Sequence, residues 1–272
     1  MWTMADTAPD LPAARHWYYQ IESLAKQLKD AQMFEKSRRK SGPELSNDAF
    51  VDIARIHLES GKPKEALDWL MRVPGNGSLH TPDRDELLLA AHRALGNQKD
   101  AEMVAWRIFR GYRTGETLDA LLSIIGIEKR EQVIEGEVQN ILKNPDFSST
   151  NAEFLLTCGR ADEAERYVIA RRDKLNGDFY SSLLPVAESL ESNERWVAAG
   201  VIYRALLDSI LGRAVSKYYH HGVRYLKKLD ALNKKITNWQ RVPSHMAYST
   251  QLKEAHARKS SFWQRYHGRG AA

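Results

Sequence analysis

The sequence predicts an all-α protein whose helices pair into stacked hairpins, and three observations carry that prediction. A glycine five residues ahead of an alanine recurs, as Gly61 with Ala66, Gly96 with Ala101 and Gly159 with Ala164. Apolar residues return at three- and four-residue intervals through most of the chain. No stretch alternates with period two for long enough to argue a strand.

The recurrence also has a period. A weaker member starts at Gly126, and a glycine-free one aligns Asn193 with Ala198, so first members stand at 61, 96, 126, 159 and 193. Units of this length, each two antiparallel helices, build arrays of the tetratricopeptide kind. The expected architecture is an α-solenoid of tetratricopeptide-like helical hairpins with a C-terminal capping helix. Its expected organisation is a disordered N-terminus (1–13), a helical-repeat array (14–212), a basic C-terminal helical segment continuing the same array (213–267) and a disordered tail (268–272).

Each element has its own warrant. Ala14 to Lys40 reads as one long helix, with Trp17, Ile21, Leu24, Leu28 and Phe34 at roughly helical spacing, until Ser41, Gly42 and Pro43 break it. Asn47 or Asp48 can cap a helix carrying Phe50, Ile53, Ala54 and Leu58. Gly61 turns the chain, and Pro63 sits at an allowed first-turn position of the return helix. Ala66 is small where the paired helices cross, because a larger side chain would hold their axes apart. Residues Val73 to Ser78 are the loop to the next unit. That second hairpin runs Asp85 to Leu95 and Asp100 to Tyr112. The third, Leu118 to Leu142, lacks the crossing alanine and is the least regular. The fourth spans Asn151 to Leu175. The fifth begins near Ser181, with Pro185 expected in its first helical turn, and returns along Glu194 to Leu211. Ala214 to Ile236 is one or two helices, with Lys217, His220, Arg224 and Lys228 at three- and four-residue intervals on one face. A last amphipathic helix is expected from about Ser244 to Tyr266.

Composition narrows the function classes. The 272 residues are 43% hydrophobic and 28% charged, as in an ordinary folded protein. The single Cys158 excludes a disulfide framework and a cysteine-based zinc site, and its apolar surroundings read as packing. The first residues lack a signal-peptide pattern, and no apolar run approaches the roughly 20 residues that cross a bilayer. No membrane association is expected, and a cytoplasmic location is. Charge is polarised within a net +5: residues 213–272 hold thirteen Lys and Arg against Asp230 and Glu254, and the rest of the chain is mildly acidic. Such asymmetry speaks of partners.

The chain from Glu163 onward resembles an uncharacterised bacterial family of helical-repeat proteins, a domain of unknown function. The residues that carry the resemblance are Glu165 to Lys174, Tyr180 to Ala187, Tyr203 to Ile210, Ala214 and Tyr225 to Leu229. The pattern His245, Tyr248, Leu252, His256, Arg258, Lys259, Phe262 and Trp263 completes it, and Phe34 to Arg39 with Ala66 to Leu70 are similar to its upstream part. The resemblance implies an all-helical, tetratricopeptide-like fold and supplies no catalytic residues. The chain looks like a short member or a carboxy-terminal portion.

Catalytic patterns are missing. No glycine loop ends in Gly-Lys-Ser/Thr, and there is no nucleophile elbow and no His-Glu-x-x-His pair. His220 and His221 are adjacent and point about 100° apart on a helix, and His245 and His256 would stand about 16 Å apart along one. Neither pair makes a metal site, so no metal and no cofactor are expected. The chain reads as a non-enzymatic scaffold that binds a protein partner through a concave groove and its basic C-terminal end. Candidate contact residues are Arg55, His92, Lys217, His221, Arg224, Lys228, His256, Arg258 and Lys259. The alternative is nucleic-acid binding through 213–269, where thirteen cations interleave with aromatics.

Overall fold

The structure, a computed structural model, describes residues 1–8, 11–42, 44–74 and 81–268. Among them it holds sixteen α-helices, three 3₁₀ turns and no strand. Residues 75–78 of the expected loop and the last four residues of the expected tail lie outside the described residues. The chain separates into two compact units, Met1–Tyr112 with Glu116–Ile127, and Arg113–Gly115 with Glu128–Ala272. The division falls at the irregular third hairpin, and the charge change at residue 213 lies inside the second unit.

The first unit contains α1 (Trp2–Asp6), α2 (Leu11–Leu28), α3 (Ala31–Ser41), α4 (Asn47–Glu59), α5 (Pro63–Leu70), α6 (Thr81–Leu95) and α7 (Gln98–Gly111), with nearly all of α8 (Gly115–Ile125). Two expectations change here. Residues 2–6, expected without structure, form α1, because Ala5 packs with Ala14, Tyr18 and Ile21 while the Trp2 ring meets Tyr18 at 6.4 Å. The single helix expected over 14–40 is a hairpin: Lys29 takes a left-handed φ of 55° and Asp30 caps α3 by accepting from the Met33 amide at 2.9 Å. Ser46, not Asn47 or Asp48, caps α4 in the same way.

The second unit contains α9 (Arg130–Lys143), α10 (Ser149–Thr157), α11 (Ala161–Ala170), α12 (Tyr180–Ser192), α13 (Trp196–Arg213), α14 (Tyr219–Asn233), α15 (His245–Ala255) and α16 (Ser260–Tyr266). Helix α13 is its axis. Twelve of its eighteen residues are buried, among them Gly200, which lets the Trp239 ring approach, and Tyr203, which stacks on Tyr225 of α14 at 5.8 Å. Pro185 lies in the second turn of α12 rather than the first. It leaves the Ser181 carbonyl without an i+4 donor, a loss that solvent can make good because both residues are exposed. The expected last helix breaks into two at residues 256–259. The break folds α16 back on α14, where Phe262 is fully buried against Tyr219 and the bare Cα of Gly222.

The glycine–alanine signal has a physical cause. Helices α4, α6 and α10 end in the same double cap, with Gly61, Gly96 and Gly159 at φ of 72°, 71° and 72°. In each, the next residue's amide bonds back five residues, Lys62 to His57, Asn97 to His92 and Arg160 to Leu155, at 2.8 to 2.9 Å. Ala66, Ala101 and Ala164 then sit buried at the helix crossings. Two further hairpins use the same geometry without glycine. Lys29 turns α2 into α3 and Glu194 (φ 61°) turns α12 into α13, with matching bonds from Asp30 to Ala25 and Arg195 to Leu190. The glycine-free pair is therefore Glu194 with Ala199, one residue beyond the expected register. In the α2–α3 hairpin the crossing position is Phe34, also fully buried.

Candidate functional site

Two of the candidate residues, His221 and Arg224, line one recess in the second unit. Its floor is aliphatic, from Leu184 of α12 and Leu206 and Ile210 of α13, and its volume is about 330 Å³. Tyr180, Tyr218 and Tyr225 supply aromatic walls, the cations Arg213 and Arg224 supply a charged edge, and His221 adds a polar group beside them. The lining contains no carboxylate, serine or cysteine.

Local structure explains how the walls come together. Gly177 lets the segment before α12 press onto α13, since a Cβ there would stand 2.0 Å from the Ala205 carbonyl oxygen. That approach brings Tyr180 into the lining, where it remains 61% exposed. At the other end α13 stops at Ala214 in a left-handed conformation, φ 56°. The chain then passes through a 3₁₀ turn that leaves Val215 and Tyr218 exposed before α14 begins. Tyr180 and Tyr218 thus carry exposed aromatic surface into the recess.

The cations differ in how they are held. Arg213 lies 3.4 Å from Asp178 and 5.9 Å from the Tyr218 ring centroid. Among the described residues Arg224 has no carboxylate within ion-pair reach, and it rests over the Tyr225 ring at 5.4 Å. Lys217 lies over Tyr218 at 4.8 Å. Burial, with His220 and Arg224 adding to it, holds the His221 imidazole below the usual histidine range, so it is neutral at pH 7. The recess can therefore take an anionic group at its edge and an apolar body on its floor.

Of the sequence candidates, His221 and Arg224 line this recess and Lys217 stands beside it. Lys228 does not join them, because both carboxylate oxygens of Glu191 accept from its ammonium at 3.0 and 2.9 Å. His256, Arg258 and Lys259 form the turn between α15 and α16, where the His256 carbonyl accepts from Trp263 Nε1 at 2.9 Å. Arg55 and His92 belong to the first unit. Arg55 is exposed on α4, and His92 lines a small hollow of about 220 Å³ beside Gly96 and Gln98. The adjacent His220 and His221 rings lie 3.9 Å apart, and the described residues contain no group of three metal-ligating side chains.

A buried polar cluster escaped the sequence reading. The Arg204 guanidinium lies 4.1 Å from the Trp239 ring and 4.6 Å from the Tyr248 ring, and Nη1 donates to the Pro243 carbonyl at 2.8 Å. Its Nε and Nη2 have no hydrogen-bond partner among the described residues, and burial pushes its pKa down to about 10, so it stays cationic at pH 7. Tyr248 donates to Asp208 at 2.7 Å, and burial holds that carboxyl above the usual range. Nearby, Asp230 accepts from Tyr266 at 2.7 Å and meets His245 Nε2 at 2.8 Å. Ser249 also approaches Nε2, at 3.4 Å. Serine and aspartate thus share one ring nitrogen, whereas a serine–histidine–aspartate relay needs them on opposite nitrogens. The cluster pins α13, α14 and α15 together. Cys158 is half-buried, and its thiol is pushed up by burial, the reverse of an activated nucleophile.

No helix of the described residues is long and apolar enough to cross a membrane. Comparison with curated proteins and with solved structures gives no match. A family model described as a family of unknown function, DUF6880, matches residues 13–265, and the chain belongs to that family.

Proposed function

We propose that the protein is a non-enzymatic helical-repeat scaffold and that a partner protein docks at the α12–α14 recess of the second unit. The observation that carries this reading is the composition of the recess. Its floor is aliphatic, its walls include the exposed Tyr180, and its edge has cations without an acid in the lining. Apolar anchors ringed by polar and charged groups are the usual anatomy of a protein-binding patch. The repeated double caps and buried crossings support a tetratricopeptide-like ancestry for the hairpins, a scaffold class that works by binding. A free cysteine fits a reducing, cytoplasmic setting.

Nucleic-acid binding is the second reading, favoured by the thirteen cations of residues 213–272. Against it, Tyr219, Trp239, Tyr248 and Phe262 are buried in the core and offer no face for stacking. Quantitative affinity capture with the intact chain and with a Tyr180→Ala/Arg224→Glu variant tests the leading reading. At least one protein partner should be lost from the variant while its circular dichroism is unchanged. Identical partners from both forms would remove the recess from consideration. Retardation of RNA at low salt that collapses as salt is added would favour the second reading.

A further inference from the structure

Resting on the reading that a partner protein docks here, we infer that the α12–α14 recess takes an acidic linear segment, one aliphatic or aromatic side chain on its floor and flanking carboxylates on Arg224 and Arg213. Four features of the site specify that occupant.

The first is size. About 330 Å³ lies at the bottom of the range of about 300–1,000 Å³ for small-molecule sites, and the recess is open on one side. That suits one or two side chains projecting from a backbone outside. The second is the floor. Leu184, Leu206 and Ile210 present no hydrogen-bonding group, so a side chain that also presents none loses least on entering. A nucleobase would bring polar edges onto this surface and leave them unpaired. The third is charge. With no acid among the described residues to hold it, the Arg224 guanidinium is available for a bidentate grip on a carboxylate. Arg213 has only Asp178, at 3.4 Å, to compete for it, and Lys217 extends the positive edge along the 3₁₀ turn. The fourth is the approach. Tyr180 and Tyr218 line the recess and are exposed, so a chain crossing it meets aromatic contact beside its anchor. Rigid aromatics of this kind give contact area at small entropic cost.

The test is selection of a displayed random-peptide library on the full chain, followed by anisotropy titration of the enriched peptides. Enriched sequences should combine a Leu, Ile, Met or Phe anchor with Asp or Glu within a few residues. Replacing the anchor by Ala, the acids by their amides, Arg224 by Glu or Tyr180 by Ala should each weaken binding about tenfold or more. A peptide with its acids changed to Lys should recover affinity for Arg224→Glu, a rescue that a purely structural role for Arg224 does not produce. The inference is overturned if the library enriches nothing, if enriched peptides carry no acidic bias, or if they bind Arg224→Glu unchanged. It is equally overturned if a single-stranded uridine oligonucleotide binds the same surface and depends on the same two residues. Loss of partners by the recess variant without any enriched peptide would leave protein docking standing and sink the linear acidic segment alone.

Discussion

At the scale of single residues, the backbone turns carry the clearest consequences. Five hairpins share one cap geometry, but Lys29 and Glu194 occupy a left-handed position that costs a side-chain-bearing residue about 1–2 kcal/mol. Lys29→Gly and Glu194→Gly should each stabilise the fold by about 0.5–1 kcal/mol, since the glycine's extra freedom in the unfolded chain takes back part of the gain. Gly61→Ala and Gly159→Ala should destabilise by about 1 kcal/mol, because a Cβ there meets no atom and only the backbone term acts. Urea denaturation of the four variants separates these signs, and a stabilising alanine at Gly61 would contradict the account. Gly177 differs in kind. Its hydrogen faces the Ala205 carbonyl, so Gly177→Ala must push the rim off α13 and should cost about 3 kcal/mol by the same measurement. These five turns also show where the sequence was legible. Glycine and alanine announced three of them, while Lys29 with Phe34 was unreadable because neither residue type signals a turn or a close crossing. Glu194 displaced the expected register by one residue for the same reason.

At the scale of elements, legibility followed the reach of the interactions. Helix type and most hairpins are local properties of spacing and caps, and they were readable. The break between α15 and α16 is a tertiary effect: Phe262 gains more by folding onto Tyr219 and Gly222 than a continuous helix would keep. Phe262→Ala should therefore release α16 without unfolding its neighbours. Hydrogen exchange should show residues 260–266 losing protection while α13 keeps it, and loss of protection in both would mean that α16 is integral to the core. The recess obeys the same rule. His221 and Arg224 were readable as polar residues on a helix of mixed character. Their partners were not, because Tyr180, Leu184, Leu206 and Ile210 come from two other helices and meet α14 only through packing. Sequence spacing likewise set Lys228 beside Arg224 on one face, yet could not reveal that Glu191, 37 residues earlier, occupies its ammonium.

At the scale of the whole molecule, the titrating groups that burial disturbs fall into two sets with opposite effects on stability. His57, His221 and His256 are all held below the usual histidine range, with burial as the leading cause. Their neighbours divide: Glu65 and Glu35 favour the His57 cation while Lys62 opposes it, His220 and Arg224 oppose the His221 cation, and Asp208 favours while Lys259 opposes that of His256. Unfolded, each histidine takes up a proton near its ordinary value of about 6.5, and folded only at lower pH. Falling pH below about 6.5 therefore favours the unfolded chain through these three groups. Glu22, Glu153, Glu165 and Asp208 are held above the usual carboxylate range, again chiefly by burial. Their contribution to stability is fully present below their unfolded values and is lost as pH rises through their folded ones. A single melting curve mixes the two sets, so variants must separate them. The triple substitution His57→Gln, His221→Gln and His256→Gln should gain in Tm relative to the parent as pH falls from about 7 to 5.5, because only the parent still carries the penalty. Asp208→Asn keeps an acceptor for the Tyr248 hydroxyl and removes a buried charge, so its Tm relative to the parent should be most favourable near neutrality. That advantage should shrink toward acid pH as the parent's Asp208 becomes protonated in the folded state. Thermal melts followed by circular dichroism across this range check both trends. A pH-independent difference for either variant would mean that burial at these sites is relieved by solvent and does not govern the stability of the fold.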